Sequence, residues 1–161
     1  MLRRFCWVMA LLLMHVMPAA AQELKPFVTG SIKAITSARQ GKPFILGMWS
    51  LSCSHCREEL AMLSALIKKR PDIDIVLVAN DTPEEAGAII ATLRQFNLEG
   101  VQAWVFAESF AERLRYEIDP KWYGELPRTY LYDSSHKILA ISGKLDPLRL
   151  EQWLNTHFPA R

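Results

Sequence analysis

The tetrad Cys53-Ser54-His55-Cys56 constrains this chain more than any other stretch. It follows a short apolar run, Phe44-Ile45-Leu46-Gly47-Met48-Trp49-Ser50. It opens a segment in which Leu60, Leu63, Leu66 and Ile67 recur at helical spacing. A strand that feeds Cys-x-x-Cys into the start of a helix is a redox arrangement. Two cysteines three apart on a first helical turn lie about 60° apart around the axis and can close a small disulfide. The free N–H groups and the positive dipole end of the helix stabilise a thiolate at Cys53. Such a thiolate can attack a foreign disulfide, and Cys56 can then release the mixed disulfide. A structural bridge or half of a metal site would use the same spacing, but the seat after a strand favours a catalytic dithiol.

The first residues have a different character. Met1-Leu2-Arg3-Arg4 is basic, Phe5 to Met17 is apolar apart from His15, and Pro18-Ala19-Ala20-Ala21 supplies small residues. This reads as a secretory signal peptide, residues 1–21, cut after Ala21. The apolar run is shorter than the ~20 residues a spanning helix needs. An uncleaved N-terminal membrane anchor is the alternative. Cleavage removes two of 19 basic residues and none of the 17 acidic ones, so the mature chain is neutral. That balance gives no footprint for a nucleic-acid partner. Cleavage also removes Cys6, which leaves only the two cysteines of the motif. With half of the whole chain hydrophobic, residues 22–161 suffice for one globular domain.

Taken in order, Gln22 to Pro26 carries no signal of its own. Ser31 to Gln40 has helical spacing and stops at Gly41. Phe44 to Ser50 reads as a central strand buried on both faces. A helix from Cys53 to Arg70 ends at Pro71, and Ile73 to Ala79 is a second buried strand. Thr82-Pro83-Glu84-Glu85 is a capping box ahead of an amphipathic helix that ends before Gly100. Val101 to Phe106 reads as a strand. Ser109 with Glu112 reads as a second capping box, for a short helix from Phe110 to Tyr116. Ile118 to Glu125 is irregular. Arg128 to Tyr132 and Lys137 to Ser142 form a hairpin over the turn at Asp133 to His136. Asp146-Pro147 caps a last helix that buries Leu150, Trp153 and Leu154. Strands joined through helices run parallel, so an α/β fold follows: a mixed central sheet flanked by helices.

With these elements in place the chain resembles the thioredoxin fold, and more closely the exported TlpA/ResA-like thiol–disulfide oxidoreductases. The similarity spans roughly Lys42 to Phe158. It rests on Phe44 to Trp49, the Cys53–Cys56 motif, Arg57-Glu58-Glu59, and Leu126-Pro127-Arg128-Thr129-Tyr130-Leu131-Tyr132-Asp133. An extra N-terminal helix and a helix inserted before the proline strand suit that group. Three positions depart from its usual pattern: Ser52 stands where Trp is common, Ser54-His55 where Pro often occurs, and Ala61 where a second Pro is frequent. They bear on redox potential and partner rather than on fold.

The resemblance implies roles. Cys53 is the exposed nucleophile and Cys56 the buried resolving thiol. Pro127 is expected in the cis form against the dithiol, leaving the backbone of Leu126 for a substrate to pair with. Glu59 is expected in the cleft, moving protons to or from the buried thiol; the sequence by itself favours a solvated helix acid. His55, at the place where the exported oxidase DsbA also carries histidine, would favour a thiolate at Cys53 when protonated. Trp49 is expected in the core or on the cleft wall. Trp122-Tyr123 would shape a groove or be buried, and His136 is read as a turn residue.

The expected function is therefore periplasmic thiol–disulfide exchange by a monomer that needs no cofactor. Its substrates are disulfides of exported proteins, of the cytochrome c maturation or metalloprotein type, and a membrane electron donor recharges it. The alternatives are a dithiol oxidase of DsbA-like poise, a copper-binding thiol carrier using His55 or His136 beside the thiolates, and a redox-inert binding module.

Overall fold

The structure, a computed structural model, describes residues 23–158. The segment read as a signal peptide lies outside them. Six strands form one sheet: β1 (Leu24–Phe27), β2 (Phe44–Trp49), β3 (Ile75–Ala79), β4 (Gln102–Phe106), β5 (Arg128–Tyr132) and β6 (Ile138–Ser142). Their spatial order is β1-β4-β3-β2-β5-β6. The first four are mutually parallel, β5 runs antiparallel to β2, and β6 returns antiparallel to β5. The mixed sheet expected from the alternation of elements is what forms.

Strand β2 sits inside the sheet, and all six of its residues are buried. Its side chains alternate between two cores. Ile45 and Trp49 join Leu60, Leu63, Ile89, Leu93, Leu150 and Trp153, whereas Phe44, Leu46 and Met48 join Ile35, Leu114 and Ile118. Helices α2 (Ser54–Lys69), α3 (Ala86–Gln95) and α5 (Pro147–His157) thus cover one face. Helices α1 (Ser31–Ser37) and α4 (Ala111–Ile118) cover the other. Period-2 alternation in a strand and 3.6-residue spacing in the helices produce this division directly. Gly47 lies on the α2 side, where a Cβ would come within 3.0 Å of Leu77 Cδ2 and 3.8 Å of Leu63 Cδ1.

Three sequence expectations need correction. The stretch before Phe27, which carries no signal of its own in the sequence, belongs to strand β1, paired with β4 from Leu24↔Ala103 to Phe27↔Phe106. It has only four residues, and Pro26 is tolerated because β1 is an edge. Phe27 anchors it, fully buried with its ring 5.4 Å from that of Phe106. Second, Ser109 and Glu112 do not form a capping box. Helix α4 starts one residue later than expected, with no side-chain cap, and Glu112 pairs with Arg115 at 3.0 Å instead. Third, α1 ends at Ser37. The following turns carry Arg39 onto Asp74, at 2.8 and 3.1 Å from its two carboxylate oxygens.

Candidate active site

The carboxyl ends of β2 and β3 and the start of β5 meet at one end of the sheet. Register pairs Met48 with Arg128, so the residue before, Pro127, stands beside Trp49, four residues ahead of Cys53. The Leu126–Pro127 peptide bond is cis, as expected.

Cys53 and Cys56 are joined by a disulfide, with their Cα atoms 5.3 Å apart. Cys53 is the N-cap residue of α2: its backbone is extended, and its sulfur accepts the Cys56 N–H at 3.2 Å. A helix's first N–H groups have no partner within the helix, so a side-chain acceptor at the cap satisfies one of them. The same donor favours a thiolate when the bond is open. Cys53 is half-buried, whereas Cys56 is fully buried in the α2 face of the core beside Trp49 and Leu60. One sulfur is reachable from outside and the other is not.

Glu59 is buried, 4 % exposed, one turn beyond Cys56. The solvated acid that the bare sequence favours is therefore not what the fold makes. Its carboxylate accepts the Thr129 hydroxyl at 2.5 Å and the Leu145 N–H at 3.2 Å. Burial pushes the carboxyl above the usual range, and the bonds from Thr129 and Leu145 pull against that rise. Thr129, two residues past Pro127, and Leu145, in the link from β6 to α5, carried no functional signal in the sequence. Only the β2–β5 pairing brings them to α2.

Next to Glu59 on the outside, Glu58 takes a 2.6 Å ion pair from Lys144 and lies 3.7 Å from His55 Nδ1. The Lys144 bond holds the Glu58 carboxyl below its ordinary value. His55 is exposed and points to Glu58, so no contact ties it to either sulfur. Trp49 is core, 3 % exposed. Trp122 is buried with its indole N–H on the Glu125 carbonyl at 2.9 Å, while Tyr123 is 88 % exposed. Leu126 is half-buried and packs against both cores, and no intrachain hydrogen bond engages its backbone among the described residues.

His136 sits in the β5–β6 turn with φ 61°, its Nε2 2.9 Å from the Arg39 carbonyl oxygen and its ring edge-on to Phe44. Phe44 begins β2 and the cysteines follow its end, so His136 and the dithiol lie at opposite ends of the sheet. It cannot complete a copper site with them. Among the described residues no group of three His, Cys, Asp or Glu side chains is placed to hold a metal. No described helix is long and apolar enough to cross a membrane.

This strand order, with a dithiol at the tip of α2 and a cis proline opening β5, is a thioredoxin fold. Solved structures agree. A secreted Mycobacterium tuberculosis disulfide oxidoreductase homologous to E. coli DsbE superposes with a TM-score of 0.57 at 19 % identity, covering 74 % of this chain and 85 % of that one. A thiol:disulfide interchange protein of the thioredoxin family from Chlorobium tepidum gives 0.54 at 16 %, covering 76 % and 83 %. StoA from Bacillus subtilis gives 0.52 at 18 %, covering 71 % and 83 %. No protein-family model and no curated protein sequence matches the chain.

Proposed function

We propose that this chain is an exported thiol–disulfide oxidoreductase that reduces disulfides in other exported proteins. One observation carries the reading: a half-exposed Cys53 caps α2 while its partner Cys56 is buried one turn on. In the reduced protein the Cys53 thiolate attacks one sulfur of a target disulfide. A mixed disulfide forms and the target's other sulfur leaves as a thiolate. The Cys56 thiolate then attacks Cys53 Sγ, which releases the target's second thiolate and closes Cys53–Cys56. Two electrons pass to the target, so a membrane dithiol donor must reopen the bridge after each turnover.

Glu59 takes the proton that Cys56 sheds in the second step. Its raised affinity for a proton suits a base shielded from water. The unpaired backbone of Leu126 and the exposed ring of Tyr123 offer the target peptide a strand to pair with and an apolar contact. The chain is exported to the periplasm by residues 1–21 and acts as a monomer. Targets of the cytochrome c maturation or metalloprotein type fit this chemistry.

The test is turnover of insulin disulfides with dithiothreitol as donor. Wild type accelerates it, Cys53→Ser is inert, and Cys56→Ser accumulates a mixed disulfide. Equilibration with glutathione then fixes direction. A potential near that of DsbA, about −120 mV, would replace the reductase reading with the oxidase one.

A further inference from the structure

The exchange chemistry assigned to the dithiol makes no use of Asp81. This residue is buried, 8 % exposed, two residues past the end of β3. Its Oδ1 accepts the Ser50 hydroxyl at 2.8 Å and the Leu51 N–H at 3.2 Å, and its Oδ2 accepts the same N–H at 3.1 Å. Ser50 Oγ in turn takes the Ser52 N–H at 3.2 Å and lies 3.0 Å from Ser52 Oγ. A hydroxyl has one proton to give. Ser50 donates its proton to the Asp81 carboxyl oxygen, so the Ser52 hydroxyl is the donor to Ser50. The Cys53 N–H closes the turn on the Ser50 carbonyl at 3.2 Å. Behind this turn, the Asn80 N–H holds the Trp49 carbonyl at 2.8 Å. Every residue between the end of β2 and the attacking cysteine is thus tied, directly or through one hydroxyl, to one buried carboxylate.

Resting on the thiol–disulfide reading, we propose that Asp81 is a positioning residue for Cys53: through Ser50 and Leu51 it fixes the turn that seats the Cys53 sulfur over the first N–H groups of α2. The sulfur's stabilising donor, the Cys56 N–H, is rigid within the helix. The sulfur's own place depends on the 50–52 turn. Besides the Cys53 N–H bond to the Ser50 carbonyl and the packing of Leu51 against the core, the contacts to Asp81 are what define this three-residue turn. Ser52 matters here because a hydroxyl at that position can join the ladder, which an indole could not do in the same way.

The contrast between Asp81→Asn and Asp81→Ala separates position from charge. The amide oxygen of Asn can keep both bonds that Oδ1 now accepts, whereas Ala keeps none. In the reduced protein, alkylation of Cys53 by iodoacetamide at pH 7 needs neither target nor donor. Relative to Asp81→Asn, Asp81→Ala slows it about tenfold. It also lowers the reduction potential against glutathione by about 30 mV, the tenfold equivalent for a two-electron couple. Equal rates and potentials in the two variants, whatever their melting temperatures, overturn the proposal. If Asp81→Ala does not fold, Ser50→Ala cuts the ladder at its middle and leaves the carboxylate in place. It slows alkylation about fivefold, and an unchanged rate overturns the proposal equally. Wild type inert toward insulin, with these contrasts intact, would instead reject the assigned reaction and leave the positioning role standing.

Discussion

The Thr129 hydroxyl donates to the Glu59 carboxylate across 2.5 Å, which joins the strand after Pro127 to the helix that carries both cysteines. The two residues are 70 positions apart, and only the pairing of β2 with β5 lets them meet. An acid held there costs folding energy once it must ionise.

Glu59→Gln tests that cost and the acid's role together. A carboxyl whose pKa is raised on folding keeps its proton in the native state when the unfolded chain has lost it. Below the ordinary value of 4.5 both states are protonated and nothing is lost; as pH climbs from there through the raised value, the native state loses stability. Gln can accept from Leu145 while its amide donates to a turned Thr129 hydroxyl. Urea unfolding between pH 4 and pH 8 should therefore show the variant gaining on wild type as pH rises. At the same time, release of the mixed disulfide by Cys56 should slow about a hundredfold at neutral pH. A stability difference that does not change with pH contradicts the buried-acid account.

Gly47 is predicted to resist enlargement. Its would-be Cβ meets Leu77 Cδ2 at 3.0 Å within a strand buried on both faces. Gly47→Ala should cost about 1–3 kcal/mol, the usual penalty for overpacking a filled core. The continuous apolar run from Phe44 to Ser50 already marked this stretch as a central strand buried on both faces. The need for a glycine in it was not visible, because that depends on how the Leu77 side chain of the neighbouring strand β3 packs over it.

Legibility in the sequence followed the range of the interaction. Elements set by local chemistry were readable: the Asp146 cap, whose carboxylate takes the Arg149 N–H at 2.8 Å, and the Thr82–Glu85 capping box both form. The dithiol was readable because its spacing and its seat after a strand are local as well. Strand β1 was not readable, since four residues around a proline gain their strand character only from β4. Ser109 and Glu112 satisfied a pattern, yet the helix starts one residue on and Glu112 turns to Arg115 within the helix instead of back to the cap. Glu59 shows the limit best. An acid between Glu58 and Leu60 reads as solvated until Thr129 and Leu145 arrive from the other end of the chain to receive it.

The loop before Pro127 is organised by Arg128, which reaches Asp119 at 2.6 Å, Glu125 at 3.5 Å and the Ser142 hydroxyl, with the Tyr130 ring 5.1 Å away. Burial works to raise the Asp119 carboxyl, but the Lys121 N–H and the Arg128 guanidinium outweigh it and hold it below its ordinary value. A depressed carboxyl stabilises the fold above its unfolded value of 3.8, and that contribution is lost as pH falls through the folded value. Asp119→Asn should therefore cost about 2 kcal/mol at neutral pH. The gap to wild type should close in strong acid, read by urea unfolding at pH 7 and at pH 2–3. A gap that persists there would mean that packing, not charge, is what Asp119 supplies.

Tyr123 separates recognition from folding. Its ring is 88 % exposed, while the neighbouring Trp122 anchors the loop by burial and by its bond to the Glu125 carbonyl. Removing the ring takes nothing from the core, so Tyr123→Ala should leave the melting temperature unchanged. If the ring is the apolar contact of a target peptide lying along Leu126, its loss should weaken target binding by about 1 kcal/mol, roughly fivefold in KM. The alkylation rate of Cys53 should not move, because Tyr123 has no part in seating the sulfur. Insulin reduction at several insulin concentrations, set beside iodoacetamide labelling, reads both. A fall in the labelling rate, or an unchanged KM, would remove Tyr123 from the target groove.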